Sequence, residues 1–185
     1  LSGAAAPFFV ACGLSALSMI FIWRMPSVPP KEASGKVALV EELTQGVRAV
    51  QASRPLTWVM ISGLVGTVMI VPHVALFPIY QRDILDVGPS GLGLMFAASG
   101  VGALIVAFLI ALTSSERPSL RLSLFMGAMA GLTITIFSQS DSFLLSLAIL
   151  VILGAFSQGF FTLNMALVQN LAPPALMGRI VALRI

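Results

Sequence analysis

The placement of charge along the chain constrains its fold more than any other feature. All seventeen charged residues, ten Lys or Arg and seven Asp or Glu, lie outside five long apolar stretches. Each stretch is close to the 17–25 residues that an α-helix needs to cross a bilayer. A helix on the surface of a soluble protein carries charge on its wet face at every turn or so, so these stretches are predicted to lie in lipid. The stretches are 4–23, 56–80, 91–113, 122–139 and 143–169.

The composition leads to the same class of protein. Hydrophobic residues make up 58% of the chain and charged residues 9%, and the mean hydropathy is +1.02. A soluble domain carries about 25% charged residues. Only helices and closed β-barrels can span lipid, and barrel strands alternate apolar and polar residues over about ten positions. Residues 101–112 and 144–153 show no such alternation, so the fold class is predicted to be all-α, a polytopic transmembrane helical bundle.

The basic residues predict how the bundle is oriented, because cytoplasmic loops collect Lys and Arg. Nine of the ten lie between the first and second stretches, between the third and fourth, or after residue 169, and only Arg82 lies between the second and third. We therefore expect residue 1 to face the outside, and the first loop, the third loop and the tail to face the cytoplasm.

The first loop, 26–55, is predicted to contain a helix of its own. Pro26, Pro29 and Pro30 prevent the first span from continuing. Apolar residues then recur at helical spacing, which favours an amphipathic helix on the inner membrane surface or on the cytoplasmic ends of the spans. The alternative is a solvated loop with accidental periodicity. The apolar residues concerned are Val37, Val40, Leu43, Val47 and Val50.

Small residues in the third and fourth spans predict close contact between helices, because in lipid small side chains let backbones approach each other. The third span carries Ser99, Ala103, Ala107 and Ala111 at four-residue steps, with further glycines that include Gly102. The fourth span contains Gly127 and Gly131 in a G-x-x-x-G arrangement.

The second span carries a mixed polar and aromatic stripe. Its one histidine is the only ionisable side chain deep in any span, and such groups usually face a bundle interior or a water-filled cavity. Two readings of His73 stay open: a substrate contact or titrating group in a cavity, or a neutral ring hydrogen-bonded to a neighbouring helix. Pro72 and Pro78 are expected to kink this span. The stripe consists of Ser62, Gly66, Met69, His73, Phe77 and Tyr80.

The fifth span carries two neighbouring polar stripes. Buried amides need partners, so they mark either hydrogen bonds between helices or a wet cavity. Both readings stay open, and the presence of two stripes on one span favours a cavity. One stripe contains Gln158, Thr162, Met165 and Gln169, and the other contains Ser157, Phe161, Asn164 and Val168.

No residue pattern supports catalysis of the soluble type. The chain has no His-Glu-x-x-His motif, no phosphate-binding glycine loop and no cysteine pair for a metal. We therefore expect no enzyme activity, no cofactor and no metal. The basic residues form no dense patch, so we expect membrane lipid and a small-molecule substrate as partners and no nucleic acid.

Three segments, taken in order, resemble the major facilitator superfamily of secondary transporters, and in particular its branch of enterobactin exporters and macrolide efflux proteins. Residues 77–85 followed by 91–103 resemble that branch's seventh helix, outer loop and eighth helix. Residues 41–48 resemble the end of its central cytoplasmic loop. Residues 173–180, with a Gly-Arg pair, resemble the loop after its tenth helix.

The resemblance implies a twelve-helix fold in two halves around a cavity that opens alternately to each side. Residues 1–25 would be the family's sixth helix and 26–55 its central loop. Residues 56–185 would be an incomplete C-terminal half, from the seventh helix to the start of the eleventh. The chain does not begin with Met, so we expect an N-terminal half of the same chain as a partner. The seventh and tenth helices, which line the family's cavity, correspond to the second and fifth spans.

The implied function is outward transport of a small amphipathic molecule, driven by protons, across a bacterial inner membrane. The alternatives are an importer of the same fold and a non-transporting membrane subunit that serves only for packing. The cavity candidates are Ser62, Met69, His73, Phe77, Tyr80, Gln158, Thr162 and Asn164. The candidates for a cytoplasmic gate are Glu116, Arg117, Arg121 and Arg179.

Overall fold

A computed structural model describes residues 2–24, 36–113 and 118–182 of the chain. In these ranges the backbone is helical and contains no strand, with a π-helical turn at Tyr80–Ile84 and a 3₁₀ turn at Pro174–Leu176. The all-α prediction is confirmed. The helices are α1 Ser2–Trp23, α2 Lys36–Ala52, α3 Arg54–Ile70, α4 His73–Ile79, α5 Pro89–Thr113, α6 Leu120–Phe137, α7 Phe143–Leu171 and α8 Met177–Ala182.

Four helical segments are long and apolar enough to cross a membrane. They are Arg54–Ile84, Pro89–Thr113, Leu120–Phe137 and Phe143–Leu171, which match the second to fifth predicted spans. Part of α1, Ala11–Trp23, forms a shorter apolar helix. The chain divides into two compact units, residues 1–38 and residues 39–185. α1 belongs to the first unit, and the second contains the four spans together with α8 and most of α2.

The closest helix contact joins α5 to α7. A Cβ atom added at Gly102 would lie 1.8 Å from the carbonyl oxygen of Val151, and one added at Gly154 would lie 2.0 Å from that of Ser99. Glycine at both positions therefore lets the two backbones touch, as small residues do in membrane bundles. Of the predicted four-residue ladder, Ser99 takes part in this contact through its backbone and Ala103 is half-buried, whereas Ala107 and Ala111 are exposed.

Two apolar clusters hold the second unit together, one toward each end of the helices. At one end, residues of α2, α3, α7 and α8 pack around Leu56, Val59, Val168 and Ile180. At the other end, residues of α4 to α7 pack around a core that includes Phe77. α2 covers the range in which the sequence predicts an amphipathic helix, and its Ala49 and Val50 pack against the first cluster.

The second span is interrupted at Val71 and Pro72, between α3 and α4. Proline has no N–H to donate and disrupts the regular helix. The Val74 amide here bonds the carbonyl of Val71, three residues back, at 3.3 Å. The carbonyl of Ile70 accepts a hydrogen bond from the His73 ring nitrogen Nδ1. The break that Pro72 predicts is therefore present.

Candidate functional site

The second unit contains a cavity of about 700 Å³ between α3 and α6, with one aromatic ring of α7 at its base. That volume is within the range of sites for small molecules. The lining contains no ionisable side chain, and its one hydroxyl belongs to Ser62. The lining residues are Trp58, Ile61, Ser62, Val65, Gly66, Met69 and Ile70 of α3, Leu120, Leu124, Gly127, Ala128 and Gly131 of α6, and Phe160 of α7.

The base of the cavity is the ring of Phe160, which two glycines hold between α3 and α6. A Cβ atom added at Gly66 would lie 2.1 Å from Cε1 of this ring, and one added at Gly127 would lie 2.9 Å from Cδ2. Phe160 is 2% exposed. At Gly131, in contrast, an added Cβ atom would meet nothing within 4 Å. Gly127 therefore makes room for an aromatic ring, and Gly131 leaves space in the cavity. The G-x-x-x-G pair of α6 does not make a backbone contact with another helix at both of its positions.

Asn164 joins α7 to α3 beside this cavity. Its Nδ2 donates to the carbonyl oxygen of Val59 at 3.1 Å and to Oγ of Ser62 at 3.0 Å. Ser62 Oγ in turn donates to the same Val59 carbonyl at 2.9 Å. Asn164 is fully buried, and its Oδ1 accepts no hydrogen bond from the protein. This triangle is a polar link between two helices.

His73, Phe77 and Tyr80 lie apart from the cavity, in the contact between α4 and its neighbours. Phe77 is 1% exposed, and its ring is 5.4 Å from that of His73 in an edge-on arrangement and 6.2 Å from that of Phe137. The Tyr80 hydroxyl donates to the carbonyl oxygen of Phe137 at 2.9 Å. His73 is half-buried and bonds the backbone of its own span through Nδ1. These contacts fasten α4 to the end of α6.

Gln158 and Thr162 form a polar pair on another face of α7. Gln158 is exposed, Thr162 is half-buried, and Gln158 Nε2 donates to Thr162 Oγ1 at 3.1 Å. Neither side chain lines the cavity of about 700 Å³. The adjacent Ser157 has a buried Oγ with no hydrogen-bond partner in the protein. Of the predicted cavity candidates, Ser62 and Met69 line the cavity, Asn164 bonds Ser62 beside it, and Gln158 and Thr162 pair elsewhere on α7.

The gate candidates have different positions. Glu116 and Arg117 lie outside the described residues. Arg121 is exposed in the first turn of α6. Arg179 is in α8, which the fully buried Ile180 fastens to the cluster at the start of α3 and the end of α7.

The sequence analysis did not select Phe160 or Trp58, although both line the cavity. Phe160 stands beside a second phenylalanine, Phe161, and the sequence alone does not show which of the two rings faces α3 and α6. The available signal was the occurrence of Gly66 and Gly127 in two different helices, since each leaves room for a large neighbour.

The described residues contain no group of three or more His, Cys, Asp or Glu that could hold a metal ion. The polar atoms near the cavity and on α7 are hydroxyls and amides. Such groups can bind by hydrogen bonding, but they are not an acid–base pair or an activated nucleophile. The arrangement is therefore suited to binding.

Comparison with protein-family models gives a match to the Major Facilitator Superfamily over residues 1–184. The match covers nearly the whole chain, and it is to the superfamily as a whole. Comparisons with curated proteins and with solved structures gave no match.

Proposed function

The chain belongs to the major facilitator superfamily, whose members are secondary transporters with a substrate site near the bilayer midplane. On that premise we propose that it moves a small amphipathic molecule out of a bacterial cell, across the inner membrane, in exchange for protons. The outward direction, the proton coupling and the membrane come from the resemblance of residues 77–103 to the exporter branch, together with the distribution of basic residues.

The observation that carries this proposal is the hydrogen-bonded pair of the exposed Gln158 and the half-buried Thr162. Gln158 lies at the middle of α7, a helix of 29 residues. A primary amide left in hydrocarbon without partners costs several kcal/mol, and the single bond to Thr162 Oγ1 uses one of its two N–H donors. This face of α7 is therefore better suited to water, to substrate or to another polar surface than to lipid.

In the proposed arrangement, the polar face of α7 forms one wall of the transport path. The opposite wall comes from further helices, which the family resemblance assigns to an N-terminal half of the same chain. Ser62 and Asn164 keep α3 fixed to α7 behind this wall. His73, Phe77 and Tyr80 keep α4 packed at the other end of the second span.

A transport assay tests the proposal. Everted membrane vesicles that contain the protein should accumulate an amphipathic fluorescent cation when their interior is made more acidic than the outside. Collapse of this pH gradient should stop the accumulation. Gln158→Leu should reduce the initial rate about 10-fold or more, because one hydrogen-bonding group in the path is lost. Gln139→Leu is the matched control, since Gln139 is exposed beyond the end of α6.

Accumulation that does not depend on the gradient would refute the proton coupling. Equal rates for Gln158→Leu and the wild-type protein would refute the assignment of the α7 face. Uptake in right-side-out vesicles, with none in everted ones, would favour an importer.

A further inference from the structure

The second span is broken in its middle and fastened to other helices on both sides of the break. In α3, Ser62 and the backbone are bonded by Asn164 of α7. In the outer part, Phe77 is buried in the cluster that joins α4 to α5, α6 and α7, and the Tyr80 hydroxyl bonds the end of α6. The angle between α3 and α4 therefore depends on the few residues that lie between these attachments.

Pro72 disturbs the regular hydrogen bonding at the break, because proline has no N–H to donate. The Val74 amide bonds the carbonyl of Val71, three residues back, at 3.3 Å. The Ala75 amide likewise bonds the carbonyl of Pro72 at 3.1 Å. In a regular α-helix the Val74 amide would bond the carbonyl of Ile70, four residues back. That carbonyl is therefore left without its usual backbone donor.

The side chain of His73 supplies the missing donor. Its Nδ1 bonds the carbonyl oxygen of Ile70, and Nδ1 must carry the proton, because a carbonyl oxygen only accepts. The ring also lies edge-on to that of Phe77, one turn further along α4, with the two centroids 5.4 Å apart. His73 therefore joins the last residue of α3 to the buried part of α4.

We propose that His73 is a positioning residue of the transporter. By replacing the lost amide, it holds α4 at a fixed angle to α3 and makes the broken span move as one piece. The contact lies within one span, so it does not depend on what covers the other faces of that span. Its effect on transport rests on the proposed function. Because Nδ1 is committed to the backbone, His73 controls the conformational step, which limits the rate in many such cycles, and not the binding of substrate.

Two amide side chains distinguish the two ring nitrogens. The side-chain nitrogen of asparagine can take the place of Nδ1, whereas that of glutamine reaches toward the position of Nε2. His73→Asn should therefore keep the bond to Ile70, and His73→Gln and His73→Leu should lose it. In the vesicle assay, His73→Asn should transport like the wild-type protein at every pH, since asparagine does not titrate. The other two variants should have a maximal rate about 2- to 10-fold lower and an unchanged KM, as expected for the loss of one hydrogen bond.

A second measurement does not need transport. Hydrogen–deuterium exchange of the whole purified protein, followed by mass spectrometry, reports the local opening of the backbone. In His73→Leu, peptides that cover residues 70–77 should exchange about 2- to 10-fold faster than in the wild-type protein. Peptides from the middle of α7 should exchange at the wild-type rate. This result tests the contact even if the wild-type protein shows no gradient-dependent accumulation, which would refute the proposed function alone.

The matched background for these variants is Pro72→Ala. It restores an N–H at the break, so that a regular helix can form and the Val74 amide can bond Ile70 again. In this background, adding His73→Leu should change neither the maximal rate nor the exchange, because the side chain is then redundant. Such non-additivity is the sign that two positions act on the same interaction, and it can be measured even if His73→Leu alone folds poorly.

Three results would overturn the proposal. The first is equal exchange in His73→Leu and the wild-type protein. The second is a lowered rate for His73→Asn with a wild-type rate for His73→Gln, because Nε2 would then be the nitrogen in use. The third is a raised KM for His73→Leu, because the side chain would then bind substrate.

Discussion

Replacing Gly102 by alanine should weaken the contact between α5 and α7. The added Cβ atom would lie 1.8 Å from the carbonyl oxygen of Val151, whereas carbon–oxygen contacts between helices are usually about 3.3–3.6 Å. The two backbones would have to separate by about 1.5 Å. Overpacking of this kind costs about 1–3 kcal/mol of unfolding free energy.

Gly100→Ala is the matched control, because it makes the same change two residues earlier in the same helix. An added Cβ atom at Gly100 would meet nothing within 4 Å. Alanine is favoured over glycine in a helix by about 1 kcal/mol, so this variant should be as stable as the wild-type protein or slightly more stable. The two variants should therefore differ by about 2–4 kcal/mol.

The measurement is thermal unfolding in detergent, followed by tryptophan fluorescence. A change of 1 kcal/mol shifts the Tm by roughly 2–4 °C for a chain of this size, so Gly102→Ala should unfold several degrees below Gly100→Ala. Gly154→Ala should behave like Gly102→Ala, since its Cβ atom would lie 2.0 Å from the carbonyl oxygen of Ser99. Equal Tm values for Gly102→Ala and Gly100→Ala would refute the backbone contact.

Three further predictions concern single hydrogen bonds and one turn. Asn164→Leu removes the amide that bonds Ser62 and the α3 backbone, and it should lower the unfolding free energy by about 1–2 kcal/mol. Ser62→Ala should lower it by less. The loss of helix in urea, followed by circular dichroism, measures both, and a larger loss for Ser62→Ala would contradict the account. Tyr80→Phe keeps the ring at 4.5 Å from that of Phe137 and loses the hydroxyl donor. It should lower the unfolding free energy by about 0.5–1.5 kcal/mol in the same measurement. A larger decrease would mean that the hydroxyl does more than bind this carbonyl. Asp86 has a φ of 45°, a left-handed conformation that suits glycine best. Asp86→Gly should therefore leave the Tm unchanged or raise it slightly. A lower Tm would show that the aspartate side chain stabilises the turn.

The membrane spans were predictable because lipid leaves so few alternatives. A backbone in hydrocarbon must satisfy its own polar groups, and a chain with no alternation of polarity can do so only as helices. The stretch 143–169 accordingly matches α7, Phe143–Leu171, to within two residues. The break at Pro72 was predictable for the same local reason, since proline has no N–H to donate.

The packing of side chains between the spans was much harder to predict. A helical wheel shows which residues share a face, but it does not show which helix covers that face. Among the small residues predicted to make close contacts in the third span, Gly102 and the backbone of Ser99 touch α7, whereas Ala107 and Ala111 are exposed. Phe160 forms the base of the cavity although nothing in its own stretch distinguishes it. His73 bonds the carbonyl of Ile70 in its own span. This contact depends on the local geometry at Pro72, which a helical wheel does not show.

The most direct test of the proposed transport path is the aqueous accessibility of the exposed face of α7. Cys12 is the only cysteine, so Cys12→Ser gives a background in which Thr162→Cys and the control Ile152→Cys can each be labelled. Ile152 is 50% exposed on the same helix and is expected to face lipid. A membrane-impermeant thiol reagent should label position 162 and not position 152, and transported substrate should slow the labelling. Failure to label position 162 from either side of the membrane would contradict the account.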